Sequence, residues 1–270
     1  MQNIVINTTL AVNQITNIYK IKKGEIALEK LKFNLNGNII NKVIGIELDI
    51  VSKGEGLAIK ELFSLFPKKQ KEALSAYKTK GEITYSSSIK GELSAKKTPG
   101  FDANFSIANG IITEKYSDQS LKNISVTGSF TNGNKNSSKS SQLNLNELNA
   151  DFGAGHISGN YVITNFANPY IELESKANID LAMAKEFFKI DSLEIASGNL
   201  EINIIYDGYI KELGNIKATE LRNLNANGTA KLTNGNLKLT DNDKHLKNIN
   251  GVFNFNNNDV KIRDLKFELN

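Results

Sequence analysis

The chain predicts a mostly β protein, built as a long antiparallel meander with a few short helices docked on it. Three observations carry that prediction. Apolar and polar residues alternate with period two over much of the sequence, which puts one oily and one wet face on a sheet. Asparagine-glycine pairs punctuate the alternating runs, and Asn-Gly supplies the positive φ angles of tight hairpin turns. Only two stretches change to helical spacing.

In chain order, Ile26 and Leu28, then Leu31, Phe33 and Leu35, alternate with polar residues, with a one-residue slip at Glu29-Lys30 that reads as a β-bulge. Ile59, Leu62, Phe63 and Phe66 follow helical spacing, and Pro67 opens a second short helix carrying Ala73, Leu74 and Tyr77. Together these predict a helical insert over about residues 57–78. Lys96-Lys97-Thr98-Pro99-Gly100 reads as a joint between an N-terminal part, residues 1–95, and a C-terminal region, residues 96–270. Asn132 to Gln142 is polar and low in complexity, which predicts a mobile loop. Asp180 caps a helix over about 180–190 that carries Leu181, Ala184, Phe187 and Phe188. Leu200, Ile202, Ile204 and Tyr206 alternate again, as do Val260, Ile262, Leu265, Phe267 and Leu269, with a slip at Arg263-Asp264. Turns are expected at Asn36-Gly37, Asn109-Gly110, Asn132-Gly133, Asn227-Gly228, Asn234-Gly235 and Asn256 to Asp259. A weak repeat links Gly81 to Leu93 with Gly198 to Leu213, about 120 residues on, each run following a helix.

Composition narrows the function classes. The 270 residues suffice for one large β domain or two modest ones. Cysteine is absent, so disulfides and thiolate metal sites are excluded. The net charge of +4 is balanced, and Arg222 and Arg263 are the only arginines, which argues against nucleic acid as a partner. No run approaches the roughly 20 apolar residues of a spanning helix. Met1-Gln2-Asn3-Ile4-Val5 reads as neither signal nor anchor, so any membrane attachment is expected outside this chain.

Reactive constellations are sparse. His156 lies five residues from Asp151, an offset that puts the two on opposite faces of one strand. His245 follows Asp241-Asn242-Asp243-Lys244, where a solvated hairpin turn competes with an incomplete metal loop. Gly153 to Gly159 is one residue too long for a dinucleotide fingerprint and leads into a strand. Glu172 and Glu174 share a strand face without the buried setting an acid/base pair needs. Lys68, Lys69 and Lys71 beside Phe63 and Phe66 suggest an anionic surface or, more simply, a helix on the sheet with solvated lysines. The expectation is a non-enzymatic protein with no cofactor and no metal.

Four stretches resemble AsmA-like proteins, especially those of the Bacteroidetes type. They are Leu62 to Pro67 running into Tyr77 to Glu82; Phe105 to Ile111 followed by Leu121 to Gly133; Ile157 to Pro169 leading into Ile179-Asp180-Leu181; and Leu246 to Phe255. Together they cover most of the chain. The family's leading inner-membrane helix is missing, so the resemblance implies an internal segment of a longer, inner-membrane-anchored envelope protein in the periplasm. It also implies a twisted, half-open sheet forming a groove, of the kind found in bridge-like lipid-transfer proteins, with phospholipid as partner and outer-membrane biogenesis as the process served. The candidate groove-lining residues are then Ile26, Leu28, Phe33, Leu35, Leu200, Ile202, Ile204, Val260 and Ile262. Gly159, Asn165, Phe166 and Pro169 form the most family-like cluster, read either as a shaped bend along the groove or as an ordinary strand-ending turn. The competing expectations are a closed structural or interaction module, and an assembly scaffold that pairs with nascent outer-membrane strands at its edge.

Overall fold

A computed structural model of the chain describes residues 4–28, 31–62, 75–209, 225–257 and 259–269. Among the described residues fourteen strands form one antiparallel sheet in strictly sequential order. They are β1 (Ile4–Asn13), β2 (Ile18–Leu28), β3 (Leu31–Asn41), β4 (Ile46–Ala58), β5 (Tyr77–Leu93), β6 (Gly100–Glu114), β7 (Ser120–Thr131), β8 (Gln142–Phe152), β9 (Gly155–Thr164), β10 (Tyr170–Asp180), β11 (Leu193–Tyr209), β12 (Asn225–Leu239), β13 (His245–Asn256) and β14 (Asp259–Leu269). Each strand pairs with its neighbours in sequence, and β1 does not meet β14, so the sheet is open. The described helices are α1 (Ile59–Leu62) and α2 (Leu181–Phe188). Among the described residues no helix is long and apolar enough to cross a membrane.

Register divides the sheet cleanly into two faces. One row runs Gly54–Tyr85–Phe105–Gly128–Leu145–Tyr161–Leu173–Tyr206–Ala226 from β4 to β12. The rows beside it are equally oily. Leu57, Ile83, Ile107 and Val126 line up from β4 to β7. Phe130, Leu143, Ile163 and Ile171 line up from β7 to β10. The opposite face is built from serine, threonine, asparagine and charged residues, as in Lys53–Ser86–Asn104–Ser129–Asn144.

The sheet curls toward its apolar face, and α2 shows why. Its residues Ala184 and Phe187 are buried with Phe152 of β8, against Tyr77 of β5, Ile112 of β6, Leu121 of β7, Ile157 of β9 and Ile179 of β10. Six consecutive flat strands would spread over about 24 Å, whereas an eight-residue helix is only about 12 Å long. The cluster that α2 forms with Phe152 gathers side chains from all six strands, as strands that wrap around the helix allow. Phe187 meets Tyr77 with ring centroids 5.4 Å apart and Phe152 at 5.3 Å. The Tyr77 hydroxyl donates to the Phe187 carbonyl at 2.9 Å. At its start, α2 is capped by Asp180, whose carboxylate accepts from the Met183 amide at 2.9 Å. At its end, Lys189 takes the left-handed conformation and returns its N–H to the Lys185 carbonyl.

Bending is also written into the backbone. Among the described residues twelve other than glycine have positive φ, and six of them lie inside strands. These six form two lines, Asn109, Asn123 and Glu147 on β6, β7 and β8, and Asn234, Asn248 and Asp264 on β12, β13 and β14. Register shifts accompany both lines. Each such bulge inserts residues on one strand, so it raises local twist and bends the sheet. The two lines expose a duplication. Gly81 (φ 112) faces Gly110 beside Asn109, and Gly198 (φ 106) faces Gly235 beside Asn234. Leu-Lys-Asn-Ile stands at 121–124 and again at 246–249, with the bulged asparagine third in both. Asn123 donates to Asp151 at 2.7 Å, and Asn248 to Glu268 at 2.9 Å. The repeat expected from sequence is thus a helix followed by four strands; its Ile210 to Leu213 part lies outside the described residues.

Several expectations are corrected. The slip at Glu29-Lys30 separates two strands, with Leu28 registered on Leu31, and is not a bulge in one strand; residues 29 and 30 themselves lie outside the described residues. A two-residue turn leaves i and i+3 on one face, which looks like the same slip in sequence. Tyr77 opens β5 and Leu57 and Ala58 close β4, so the helical insert is shorter than predicted at both ends. The second predicted helix, from Pro67 to Leu74, lies outside the described residues, as do Phe63, Phe66 and Lys68 to Lys71. Four of the expected Asn-Gly turns fall within strands: 109–110 and 234–235 at bulges, and 36–37 and 227–228 where a neighbouring backbone crosses close to the glycine. The slip at Arg263-Asp264 is a bulge, with Asp264 at φ 53. Residues 132–141, expected to be mobile, form a bonded turn: Ser140 donates to the Asn132 carbonyl at 2.7 Å, and Asn132 accepts from Phe101 and donates to Pro99, both at 2.9 Å. Residues 94–99 link β5 to β6 within the same sheet.

Two predictions follow from these contacts. Asn123→Val, which forces a β-branched residue into the left-handed region, should cost about 2 kcal/mol, and Asn123→Gly clearly less. Urea unfolding followed by circular dichroism separates them, and equal losses would refute the bulge argument. The second concerns Glu114, buried under α2. Its carboxylate accepts from the Ser117 amide at 2.7 Å, the Tyr116 amide at 2.8 Å and the Ser117 hydroxyl at 3.0 Å, with Lys189 Nζ at 3.2 Å. The Ser117 amide above all, then the Tyr116 amide and Lys189, outweigh burial and hold its pKa down to about 2. A carboxylate depressed from its ordinary 4.5 stabilises the fold above that value and loses the contribution as pH falls toward 2. Glu114→Gln should therefore be less stable than the parent at pH 7, with the gap closing between pH 4.5 and 2. A gap independent of pH would contradict this assignment.

Candidate functional site

The candidate site is the apolar face itself. It is lined in part by aromatic rings laid over glycines of the next strand. A side chain built at Gly128 would collide with the Phe105 ring, and one at Gly54 with the Tyr85 ring. Glycine is required there because the ring occupies the space a Cβ needs. Two tyrosine hydroxyls in this face have serine partners. Tyr85 bonds Ser52 at 3.0 Å and Tyr161 bonds Ser175 at 3.0 Å. Burial raises the pKa of the Tyr85 hydroxyl above its ordinary value against the opposing bond from Ser52, and burial does the same at Tyr206. The rows named contain no charged side chain.

The sequence-predicted lining residues fall into two groups. Leu200, Ile202 and Ile204 are half-buried on the apolar face of β11. Ile202 stands in the row Ala150–Ile157–Ala177–Ile202–Ala230–Phe253–Ile262. Ile204 stands in Leu148–Gly159–Ser175–Ile204–Gly228–Phe255–Val260. These rows bring Ile202, Ile204, Val260 and Ile262 together, while Leu200 pairs with Ile179 and Leu232 in the row beside Ile202. Leu35 registers on Ser52 at the far side of the sheet, on the same face. Ile26 pairs in register with Phe33, and Leu28 with Leu31; the side chains of Ile26, Leu28 and Phe33 lie outside the described residues. Val260 is 55% exposed and Ile262 51%, because β14 is an edge strand.

In the family-like cluster, Gly159 lies in β9, where an added Cβ would meet the Glu174 carbonyl of β10. Asn165 (φ 54) opens the turn to β10 and its carbonyl accepts from the Asn168 amide at 2.8 Å, while Pro169 stands just before β10. Phe166 packs edge-on against Phe130, centroids 5.7 Å apart. Sequence reasoning missed the central aromatic row, notably Phe105, Leu145, Tyr161 and Leu173. Their alternation is interrupted by small polar residues, and their alignment is a matter of register.

The polar face holds one correction. His156 Nδ1 lies 3.0 Å from Asp151 Oδ1, because Gly153-Ala154 turns the chain and registers the two residues directly across β8 and β9. The sequence reading placed them on opposite faces of a single strand. Asn123 first and His156 second lower the Asp151 pKa. His156, Ser158, Lys176, Asn178, Glu201 and Lys231 line an open hollow of about 540 Å³ there. His245 begins β13, beyond the 240–244 turn. Glu172 and Glu174 are exposed on β10. Among the described residues no three His, Cys, Asp or Glu side chains gather in a way that could hold a metal ion.

No protein-family model, curated protein or solved structure matches the chain.

The aromatic-over-glycine packing sets a prediction. Phe105→Ala should cost about 2 kcal/mol, below the range for a fully buried phenylalanine because Phe105 is half-buried. Adding Gly128→Ala to that variant should restore part of the loss, since the Cβ then meets empty space. Denaturant unfolding of the two variants tests this; additive losses would refute it.

Proposed function

We propose that this chain is a non-enzymatic segment of an AsmA-like envelope protein, and that its apolar face shelters phospholipid acyl chains in transit between inner and outer membranes. One observation carries the reading: the apolar rows run across nine strands with no charged side chain, and among the described residues only α1 and α2 accompany the sheet. Soluble monomers rarely leave contiguous apolar surface of this extent uncovered. Each methylene withdrawn from water there contributes about 0.8 kcal/mol, while headgroups stay in water at the open side. On this reading the chain works in the periplasm, held to the inner membrane by an anchor outside it, and needs no cofactor.

A second reading is favoured by β14. Its Val260, Ile262, Phe267 and Leu269 are all about half exposed, and its outer edge is unpaired in the sheet. An unpaired edge can add a strand from a partner, which suits a scaffold for outer-membrane proteins.

Native mass spectrometry of the chain purified from a bacterial host, with lipid extraction, tests the first reading. Phospholipid near one per chain is expected, with uptake of a fluorescent phospholipid falling about tenfold in Ile202→Glu/Phe253→Glu. Lipid-free protein that takes up no fluorescent phospholipid would exclude the groove reading and leave the edge reading.

A further inference from the structure

The strand ends on one side of the sheet form a continuous rim. The turns at 14–17, 42–45, 94–99, 132–141 and 165–169 all lie there. They are joined to one another in sequence. The Asn41 amide donates to Asn17 at 3.0 Å; Gly45 lies against the Leu93 carbonyl; Asn136 Nδ2 donates to Thr98 at 2.9 Å; the Asn165 amide donates to Ser141 at 2.9 Å. Hairpin tips in water are ordinarily polar. Here Ile15 is 95% exposed, Val43 104% and Ile44 75%, on two neighbouring tips.

The same rim is cationic. The five described turns named above carry Lys42, Lys96, Lys97, Lys135 and Lys139 and no acidic residue. Glu47 pairs with Lys42 at 2.5 Å and Glu92 with Lys97 at 2.7 Å. Lys96, Lys135 and Lys139 are exposed and have no ion pair among the described residues. The described turns at the opposite end carry Asp118, Asp191, Asp241 and Asp243 beside Lys115, Lys189 and Lys244. The most exposed ring there, Tyr116, lies under Lys189 Nζ at 4.9 Å. Among the described turns, protruding aliphatic tips and lysines without an ion pair thus coincide on this rim.

We propose that this rim docks on an anionic lipid surface, with Ile15, Val43 and Ile44 entering the headgroup–acyl boundary and Lys96, Lys135 and Lys139 facing lipid phosphates. Apolar insertion and attraction to anionic lipid are the two forces that hold a protein at a bilayer interface, and the rim supplies both. The docking does not rest on the groove holding lipid. It orients the strands end-on to the bilayer.

Vesicles of phosphatidylcholine, with and without phosphatidylglycerol, test this by co-sedimentation. The chain should bind the anionic vesicles and bind pure phosphatidylcholine weakly, with binding falling as salt rises. Ile15→Ser/Val43→Ser/Ile44→Ser should reduce binding about tenfold, and Lys96→Gln/Lys135→Gln/Lys139→Gln should remove the salt dependence. All six positions are exposed, so unchanged thermal unfolding is expected of both variants. Absence of binding at low salt, or binding that both variants retain, would overturn the proposal. So would a dimer abolished by the serine variant, which would make a second copy the occupant. Both variants should still take up fluorescent phospholipid in solution; vesicle binding without such uptake would count against the groove alone.

Discussion

A single-layer sheet has to shelter its own apolar face. In a sandwich a second sheet does this, and in an α/β protein flanking helices do. Here the sheet instead curves. The two lines of bulges, Asn109–Asn123–Glu147 and Asn234–Asn248–Asp264, concentrate bending where three neighbouring strands each take on extra residues. Rings over Gly54 and Gly128 then fill the concave side without a second layer. The helix α2 closes one end of the curve by completing, with Phe152, a cluster that draws side chains from six strands. Curvature leaves Leu200, Ile202 and Ile204 half-buried in rows that a flat sheet would leave open to water.

The class of fold was legible because period two is a direct image of the pleat. The α2 helix was legible because Asp180 and the Leu181, Ala184, Phe187 spacing act locally. Register was not, and the errors share that cause. Asn-Gly favours positive φ, and both hairpin turns and bulges demand it, so Asn109-Gly110 and Asn234-Gly235 read as turns although they sit in strands. The same ambiguity made the boundary between β2 and β3, where Leu28 pairs with Leu31, look like a bulge. It also hid the Asp151–His156 contact, which exists because Gly153-Ala154 reverses the chain between them. Of the candidate lining residues, those on β11 and β14 could be named from alternation alone. The aromatic row from Tyr85 to Tyr206 could not, because each strand contributes a single member.

The duplicated helix-and-four-strand unit explains how the curve repeats. Each unit carries a positive-φ glycine facing an Asn-Gly bulge, then a Leu-Lys-Asn-Ile bulge on the next strand, then a bulge on a fourth. Asparagine at these points is a compromise between conformations. It tolerates the left-handed region, as glycine does, but also brings an amide that ties the bulge to the next strand, at Asp151 in one unit and Glu268 in the other. Curvature is thereby a property of the unit, and chains built from such units curve without a specific contact between distant strands.

That arrangement bears on the kind of ligand the face can hold. The polar groups in its rows are hydroxyls, and Ser52, Tyr85, Tyr161 and Ser175 bond one another. The one buried charge under α2, Glu114, is engaged by Ser117, Tyr116 and Lys189. A ligand on this face therefore meets apolar area without a fixed ionic anchor. Affinity would grow with the length of chain buried and depend little on headgroup identity. On the proposed reading such a surface would let an acyl chain slide from row to row, whereas a pocket built around a buried cation would select one headgroup and hold it in place.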